Sequence, residues 1–310
     1  MTIIELLKEL SGHFINFTEH GFTYGPQGRM LLKNLEEHWF LHCVTMSRYN
    51  VFLSDEFSDT LNFITKTATS DVPFGLATVK KSKHSWMENA SHVQKLNHHR
   101  TAEVAILNNE GEAEGLFRDV QKERKIWWRR LAQCPSRFKL TEAKKGRNVD
   151  TVDIKAQFSF GNVIVERISY HSDVQKLFQM SEKDFSGVRM VEHVMSLDWG
   201  SLALLCDARD AKMHVRSMLA PHKVAFRVED AQSDDLNRFV LYLNNMLKTR
   251  GLSTILTSSE EVVEACLVPF VVSVDTSSLE NGIVRVRDRS TTLYEAVHIT
   301  DLAKYLIARC

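Results

Sequence analysis

Beyond residue 221 the chain alternates strand-like and helix-like segments, and that alternation most limits the folds open to it. An apolar run at residues 223–228 precedes Leu236, Phe239, Val240, Leu243 and Leu247 at helical spacing. Gly251 follows the last periodic position, where a residue of positive φ commonly closes a helix. Residues 252–256 read as a second strand, and Ser258 with Glu261 forms a capping-box signature for a second helix. Residues 270–274 and 283–286 are β-branched runs on either side of a turn containing Asn281-Gly282. Thr300 and Asp301 open a last helix through Leu302, Tyr305 and Leu306. Strands alternating with helices in this way predict a compact α/β domain with a mixed sheet.

The preceding two thirds are less regular. Leu31, Leu35 and Trp39 share one helix face and Val120, Trp127 and Leu131 another, with short β-type runs at residues 72–79, 104–107 and 163–168 around them. This predicts an α+β domain. The pattern changes near residues 216–221, which divides the chain into residues 1–215 and 216–310, and a length of 310 suits about two domains. No run of about 18 apolar residues is present.

Lys plus Arg and Asp plus Glu each number 39, so attraction to a polyanion has to come from local clustering rather than the net field. Arg118, Lys122, Lys125 and Arg129 recur at intervals of four, three and four, which places them on one side of a helix over about 16 Å. Arg130, Arg137, Lys139, Lys144, Lys145 and Arg147 follow with few acids between them, and Lys80, Lys81 and Lys83 form a second cluster. Such surfaces suit phosphate contacts that carry no base information; the structural alternative is a solvated face. Trp127 and Trp128 are adjacent, so at most one is expected to face the core fully, with core packing and base stacking both open. Arg285, Arg287 and Arg289 alternate, so in a strand they share one face and oppose Val284 and Val286. They suit either a partner surface or the wet face of an edge strand.

Five cysteines, widely spaced and without a CxxC pair, predict reduced thiols and no zinc or redox couple. His38 and His42 have i, i+4 spacing but lack the glutamate of a zinc protease motif, so a surface or half-buried pair is expected. His92, His98 and His99 are expected to be solvated. No Gly-rich phosphate loop, GxSxG elbow or spaced carboxylate set stands out, and neither cofactor nor metal is expected. The opening MTIIELLKEL carries Glu5 and Glu9, with no arginine before Arg29, which is unlike a transit peptide. A removed presequence or another import route is expected if the protein acts inside an organelle.

FTYGPQGRMLLKNLEEHWF at residues 22–40 places Gly25-Pro26 and Gly28 in a tight turn before an amphipathic helix. The string resembles the first signature of class II aminoacyl-tRNA synthetases, in the YGPxG form of glycyl-tRNA synthetases. VPFGLATV at 72–79 looks like the strand before the second signature, and ERKIWW at 123–128 and DIKAQFSFGNVIVERI at 153–168 look like later segments. APHKVAF at 220–226, PFVVSVDTSSLENGIVRVRDRSTT at 269–292 and HITDLAKYLI at 298–307 resemble that family's anticodon-binding domain. WWRR followed by CPSRF within 127–138, and RDRSTTLYEAVHI at 287–299, resemble one branch more closely: the accessory subunits of animal mitochondrial DNA polymerases.

The resemblance implies a degenerate class II synthetase-like core with an antiparallel sheet over residues 1–215, and an anticodon-binding-like α/β domain over 216–310. Adenylate formation needs positive charge on the ATP phosphates, which this family supplies with arginines. Here KHSWMEN at 83–89 sets His84 and Trp86 against the second signature, SLDWGSLALL at 196–205 sets Trp199 where the third expects arginine, and Arg167 stands in place of a pocket glycine. The chain is therefore expected not to be an enzyme. The resemblance implies a processivity subunit in the mitochondrial matrix and nucleoid that binds the catalytic subunit and primer–template, double-stranded DNA. Lys80, Lys81, Lys83, Arg118, Lys122, Lys125, Arg129 and Arg130 are its candidate DNA contacts; Gly282, Arg285, Arg287 and Arg289 are its candidate partner contacts. Residues 48–72 leave too little chain for the helical insertion of the dimeric vertebrate members, so a monomer pairing one-to-one with the polymerase is expected. A glycyl-type synthetase or tRNA-binding protein is the alternative.

Overall fold

A computed structural model describes residues 12–18, 21–67, 71–82, 99–178, 186–210, 214–230, 232–257 and 259–310. The chain forms two compact units, one of Leu35–Asp207 with Phe17–Thr23, the other of Ala208–Cys310 with Gly12–Asn16 and Tyr24–Asn34.

Strands β1 (Ile15–Thr18) and β2 (Gly21–Tyr24) form a ribbon leading into helix α1 (Pro26–Phe40). Pro26 takes the first helical position, where its missing N–H is no loss. A Cβ on Gly28 would collide with the Phe14 carbonyl and press the Tyr24 ring, so only glycine fits there. Leu31, Leu35 and Trp39 are all buried, as their spacing predicts. α1 runs into a single π-turn, Leu41–Thr45.

The first unit continues through β3 (Asn50–Leu53), α2 (Phe57–Thr67), β4 (Phe74–Ser82), β5 (His99–Asn109) and α3 (Glu110–Leu131). β6 (Phe138–Leu140), β7 (Lys144–Lys145), β8 (Val149–Phe158), β9 (Gly161–His171), α4 (Val174–Phe178), β10 (Val188–Ser196) and α5 (Leu197–Asp210) complete it. The strands form one sheet of order β3-β4-β5-β10-β9-β8-β6, with β7 on β8, and only β3 and β4 pair in parallel. One face sends Phe74, Leu76, Ala105, Leu107 and Met190 into a core with Leu61 and Ile64 of α2. Successive residues alternate faces, and α3 lies on the other side.

Both Trp127 and Trp128 are buried, against the expectation that one of them faces out. Their side chains diverge by about 100° around the helix, but α3 is covered on both of those sides. Trp128 stacks on Phe138 with ring centres 5.7 Å apart and meets Trp127 edge-on at 5.0 Å. A Cβ on Gly200 of α5 would lie 2.5 Å from the Trp128 ring.

The second unit holds β11 (Val224–Val228), α6 (Asp234–Thr249), β12 (Thr254–Ile255), α7 (Glu260–Ala265), β13 (Phe270–Val274), α8 (Thr276–Asn281), β14 (Ile283–Asp288), β15 (Tyr294–His298) and α9 (Ile299–Ile307). Its sheet order is β12-β11-β13-β14-β15, with β12, β11 and β13 parallel and the rest antiparallel. This is the mixed sheet that the alternation predicts. Leu236, Val240, Leu243 and Leu247 of α6 and Leu302 and Leu306 of α9 close its core over Phe226, Val272 and Val286.

Three local expectations change here. The second strand spans only Thr254–Ile255. Helix α7 is capped by Ser259, whose Oγ accepts from the Val262 N–H, while Ser258 lies outside the described residues. Asn281-Gly282 is not a hairpin turn but the end of α8, with Gly282 at φ 70°. Asp275 explains that difference: its carboxylate accepts the Ser278 N–H, Ser278 Oγ accepts the Asp275 N–H, and this capping box starts a helix between two antiparallel strands.

Candidate functional site

The eight candidate DNA contacts differ in how far their charge is already compensated. All of the stripe residues lie on α3. Arg118 pairs with Glu114 at 3.7 Å and Lys122 with Asp119 at 3.8 Å, both on exposed surface. Arg129 donates from Nε to the Phe138 carbonyl at 3.1 Å, which ties it to the fold. Lys125 is half-buried and Arg130 exposed, and neither forms an ion pair among the described residues. In the second cluster Lys80 binds Glu103 at 2.8 Å, Lys81 is exposed, and Lys83 lies outside the described residues. His84, Trp86, His92 and His98 lie outside them too.

His99 is buried rather than solvated: as the first residue of β5 it faces Ser196, with Nδ1 and Oγ 2.9 Å apart. His38 and His42 are half-buried and stack with ring centres 5.5 Å apart, His38 also meeting Trp127 edge-on.

The most connected polar cluster was not foreseen. Arg124 and Glu166 are buried on facing elements, α3 and β9. Arg124 Nε donates to Glu166 Oε1 at 2.7 Å and Nη1 to Cys43 Sγ at 3.0 Å. Trp128 Nε1 donates to Glu166 Oε2 at 2.6 Å, and His193 Nδ1 stands 3.0 Å from Oε1. Burial pushes the Glu166 carboxyl up, but the Arg124 charge and the hydrogen bonds from His193 and Arg124 together hold it at about 2. Burial lowers the pKa of His193 despite its carboxylate partner, so a neutral imidazole donates from Nδ1. Burial also raises the Cys43 thiol, to about 11. The sequence does carry one signal of this cluster: Arg124 falls one turn after Val120 and one before Trp128, a charge inside an apolar face.

Arg167, next along β9, points to the other face of the sheet and pairs with Asp153 through Nε at 2.7 Å and Nη2 at 3.2 Å. Trp199 is buried with its ring edge-on to Phe22 at 5.9 Å.

On the second unit, β14 is not an edge strand, because β15 pairs along its outer side. Arg285 reaches Asp275 at 3.2 Å, and Arg287 and Arg289 reach Glu264 of α7 at 3.9 and 2.7 Å. Arg287 is directly opposite Tyr294 and Arg285 opposite Ala296, so these four side chains share one sheet face. Tyr294 is 56% exposed and Leu293 beside it 65%. That aromatic and apolar component was missed in the sequence, where residues 293–294 entered only as part of the RDRSTTLYEAVHI segment. Gly282 is the left-handed cap between α8 and β14, and a Cβ there would lie 2.7 Å from His298 Nε2.

No family model matches the chain. It is similar to "DNA polymerase subunit gamma-2, mitochondrial" of Xenopus laevis, at 28% identity over 76% of this chain and 59% of that protein. The similarly named protein of Drosophila melanogaster is 27% identical over 62% of each chain. "DNA polymerase subunit gamma-2" of Mus musculus is 27% identical over 60% of this chain and 48% of that one. The chain thus spans about six-tenths of the length of the first two relatives. The chain is thus similar, at 24–28% identity, to several proteins named DNA polymerase subunit gamma-2.

Proposed function

We propose that the chain is a non-catalytic accessory subunit of a mitochondrial DNA polymerase, built on a degenerate class II synthetase-like core followed by an anticodon-binding-like domain. The observation that carries the non-catalytic part is Trp199: the position matching a phosphate-binding arginine holds an indole packed on Phe22. A buried indole offers no charge to a triphosphate. The bidentate pairing of Arg167 with Asp153 also supports it, because that guanidinium is already engaged.

In this reading residues 216–310 meet the catalytic chain, through the face of Arg285, Arg287 and Tyr294. Arginine and tyrosine are enriched where protein interfaces concentrate their binding energy, and Glu264 and Asp275 hold the arginines in place beforehand. The α3 cations and Lys80, Lys81 and Lys83 meet the phosphates of primer–template DNA. The subunit then raises processivity by adding a second hold on DNA within one assembly, where effective concentration multiplies two weak affinities. The names of the relatives support a mitochondrial location and a polymerase partner.

The test is reconstitution with the catalytic subunit: a one-to-one complex on size exclusion and longer primer-extension products are expected. No complex and unchanged products would refute the proposal. A glycine-dependent ATP–pyrophosphate exchange signal would favour a synthetase instead.

A further inference from the structure

We propose that the first unit carries a binding site for a small amphipathic anion, an apolar body with one carboxylate, in a cavity between the π-turn, α3 and the β5–β10 face of the sheet. The cavity measures about 390 Å³, within the range of small-molecule sites. Val104, Ile106, Leu116, Val120 and Trp127 give it an apolar floor and wall. The π-turn, closed by the Met46 N–H on the Leu41 carbonyl at 2.8 Å, interrupts the α1 ladder and brings His42 and Cys43 into the lining. Such turns recur at functional sites.

The charge of the lining selects the ligand. Arg48, Arg124 and Arg130 line the cavity with a single carboxylate, Glu123. Glu166, behind the wall, already neutralises Arg124. Arg48 and Arg130 form no ion pair among the described residues, so the mouth carries a net positive charge. His42 senses this field: burial first, then the charges of Arg124 and Arg130, lower its pKa. The indole N–H of Trp127 is buried with no acceptor, a donor of the kind that native structures rarely leave unused. An apolar body lies against the aliphatic floor, and its carboxylate meets the two rim guanidiniums.

The test is calorimetric titration of the full chain with octanoate, octylamine and hexaglutamate. Octanoate is expected to saturate at one per chain and octylamine to show no saturable binding. The surface variant Arg48→Glu/Arg130→Glu is expected to weaken octanoate by at least about tenfold. Equal binding of octanoate and octylamine, no saturable octanoate binding, or full affinity in the folded double variant overturns the site. Should that variant fail to fold, the wild-type protein still decides: octanoate affinity is expected to fall as salt rises toward roughly 0.3 M, and a constant affinity overturns the proposal. Binding of hexaglutamate but not octanoate assigns the patch to an acidic protein segment and also overturns it.

Discussion

Arg124 donates to Glu166 at 2.7 Å across an interior where their side chains are 6% and 0% exposed. Each ion is tolerated there because the other is present and because Trp128, His193 and Cys43 take up the remaining hydrogen-bonding capacity. Removing one partner leaves an uncompensated buried charge, which costs about 3–5 kcal/mol, whereas an apolar replacement of both is far milder. Arg124→Met alone is therefore expected to lower urea-unfolding stability by about that amount. Arg124→Met with Glu166→Leu is expected to recover much of the loss. If the double variant is as unstable as the sum of both singles, the two residues do not act as a pair.

The same cluster sets a pH dependence. Glu166 and His193 both have folded pKa values below their ordinary ones, so the unfolded chain binds protons more readily and stability falls with falling pH. For His193 the stabilisation is fully present above its unfolded value of about 6.5 and declines below it. For Glu166 it is present above the unfolded carboxylate value and declines as pH falls toward about 2. His193→Gln, which cannot be protonated, is expected to flatten the thermal midpoint between about pH 6.5 and 5 relative to wild type. Parallel curves in that window would remove His193 as a source of the dependence.

This network marks where sequence reading stops. The periodicity of α6 and its glycine stop fix that helix, because amphipathic spacing and capping are local properties. The mixed sheet follows from the alternation of strands and helices. Pairing of Arg124 with Glu166 joins residues 42 positions apart, and nothing local distinguishes that arginine from the stripe cations at 122 and 125 except its place on the apolar face. The error at Asn281-Gly282 is of another kind. The dipeptide does signal a positive φ, but the capping box six residues earlier decides that the positive φ ends a helix rather than a hairpin. Trp127 and Trp128 failed for want of the layers on both sides of α3, which only the tertiary structure supplies.

Gly251 and Gly282 separate conformational strain from collision. Both have positive φ, 84° and 70°, where an L side chain is strained by about 1 kcal/mol. A Cβ on Gly251 meets nothing within 4 Å, whereas one on Gly282 meets His298 at 2.7 Å. Gly251→Ala is expected to cost about 1 kcal/mol and Gly282→Ala clearly more, in chemical denaturation. His298 also caps α9 through the Thr300 N–H, so the comparison is made in that background: the cost of Gly282→Ala relative to His298→Ala alone should approach the Gly251→Ala value. A cost for Gly282→Ala no larger than that of Gly251→Ala shows that His298 yields freely.

The proposed DNA contact through α3 makes a prediction about salt. Each phosphate contact adds roughly 0.9 to the slope of log affinity against log salt on duplex DNA, so losing two contacts lowers the slope by about 2. Lys122 and Lys125 are the residues to change, because Arg129 is tied to the Phe138 carbonyl and its loss disturbs the fold. The exposed Lys122–Asp119 pair at 3.8 Å is too weak to withhold that charge from DNA. Lys122→Glu/Lys125→Glu is expected to leave the unfolding midpoint unchanged and flatten the salt slope in a fluorescence-anisotropy titration with a primer–template duplex. Lys80→Gln, which removes a cation held by Glu103 at 2.8 Å, is expected to change the slope less than Lys81→Gln. If the α3 double variant keeps the wild-type slope, the stripe is solvated surface and the DNA contacts lie elsewhere on the chain.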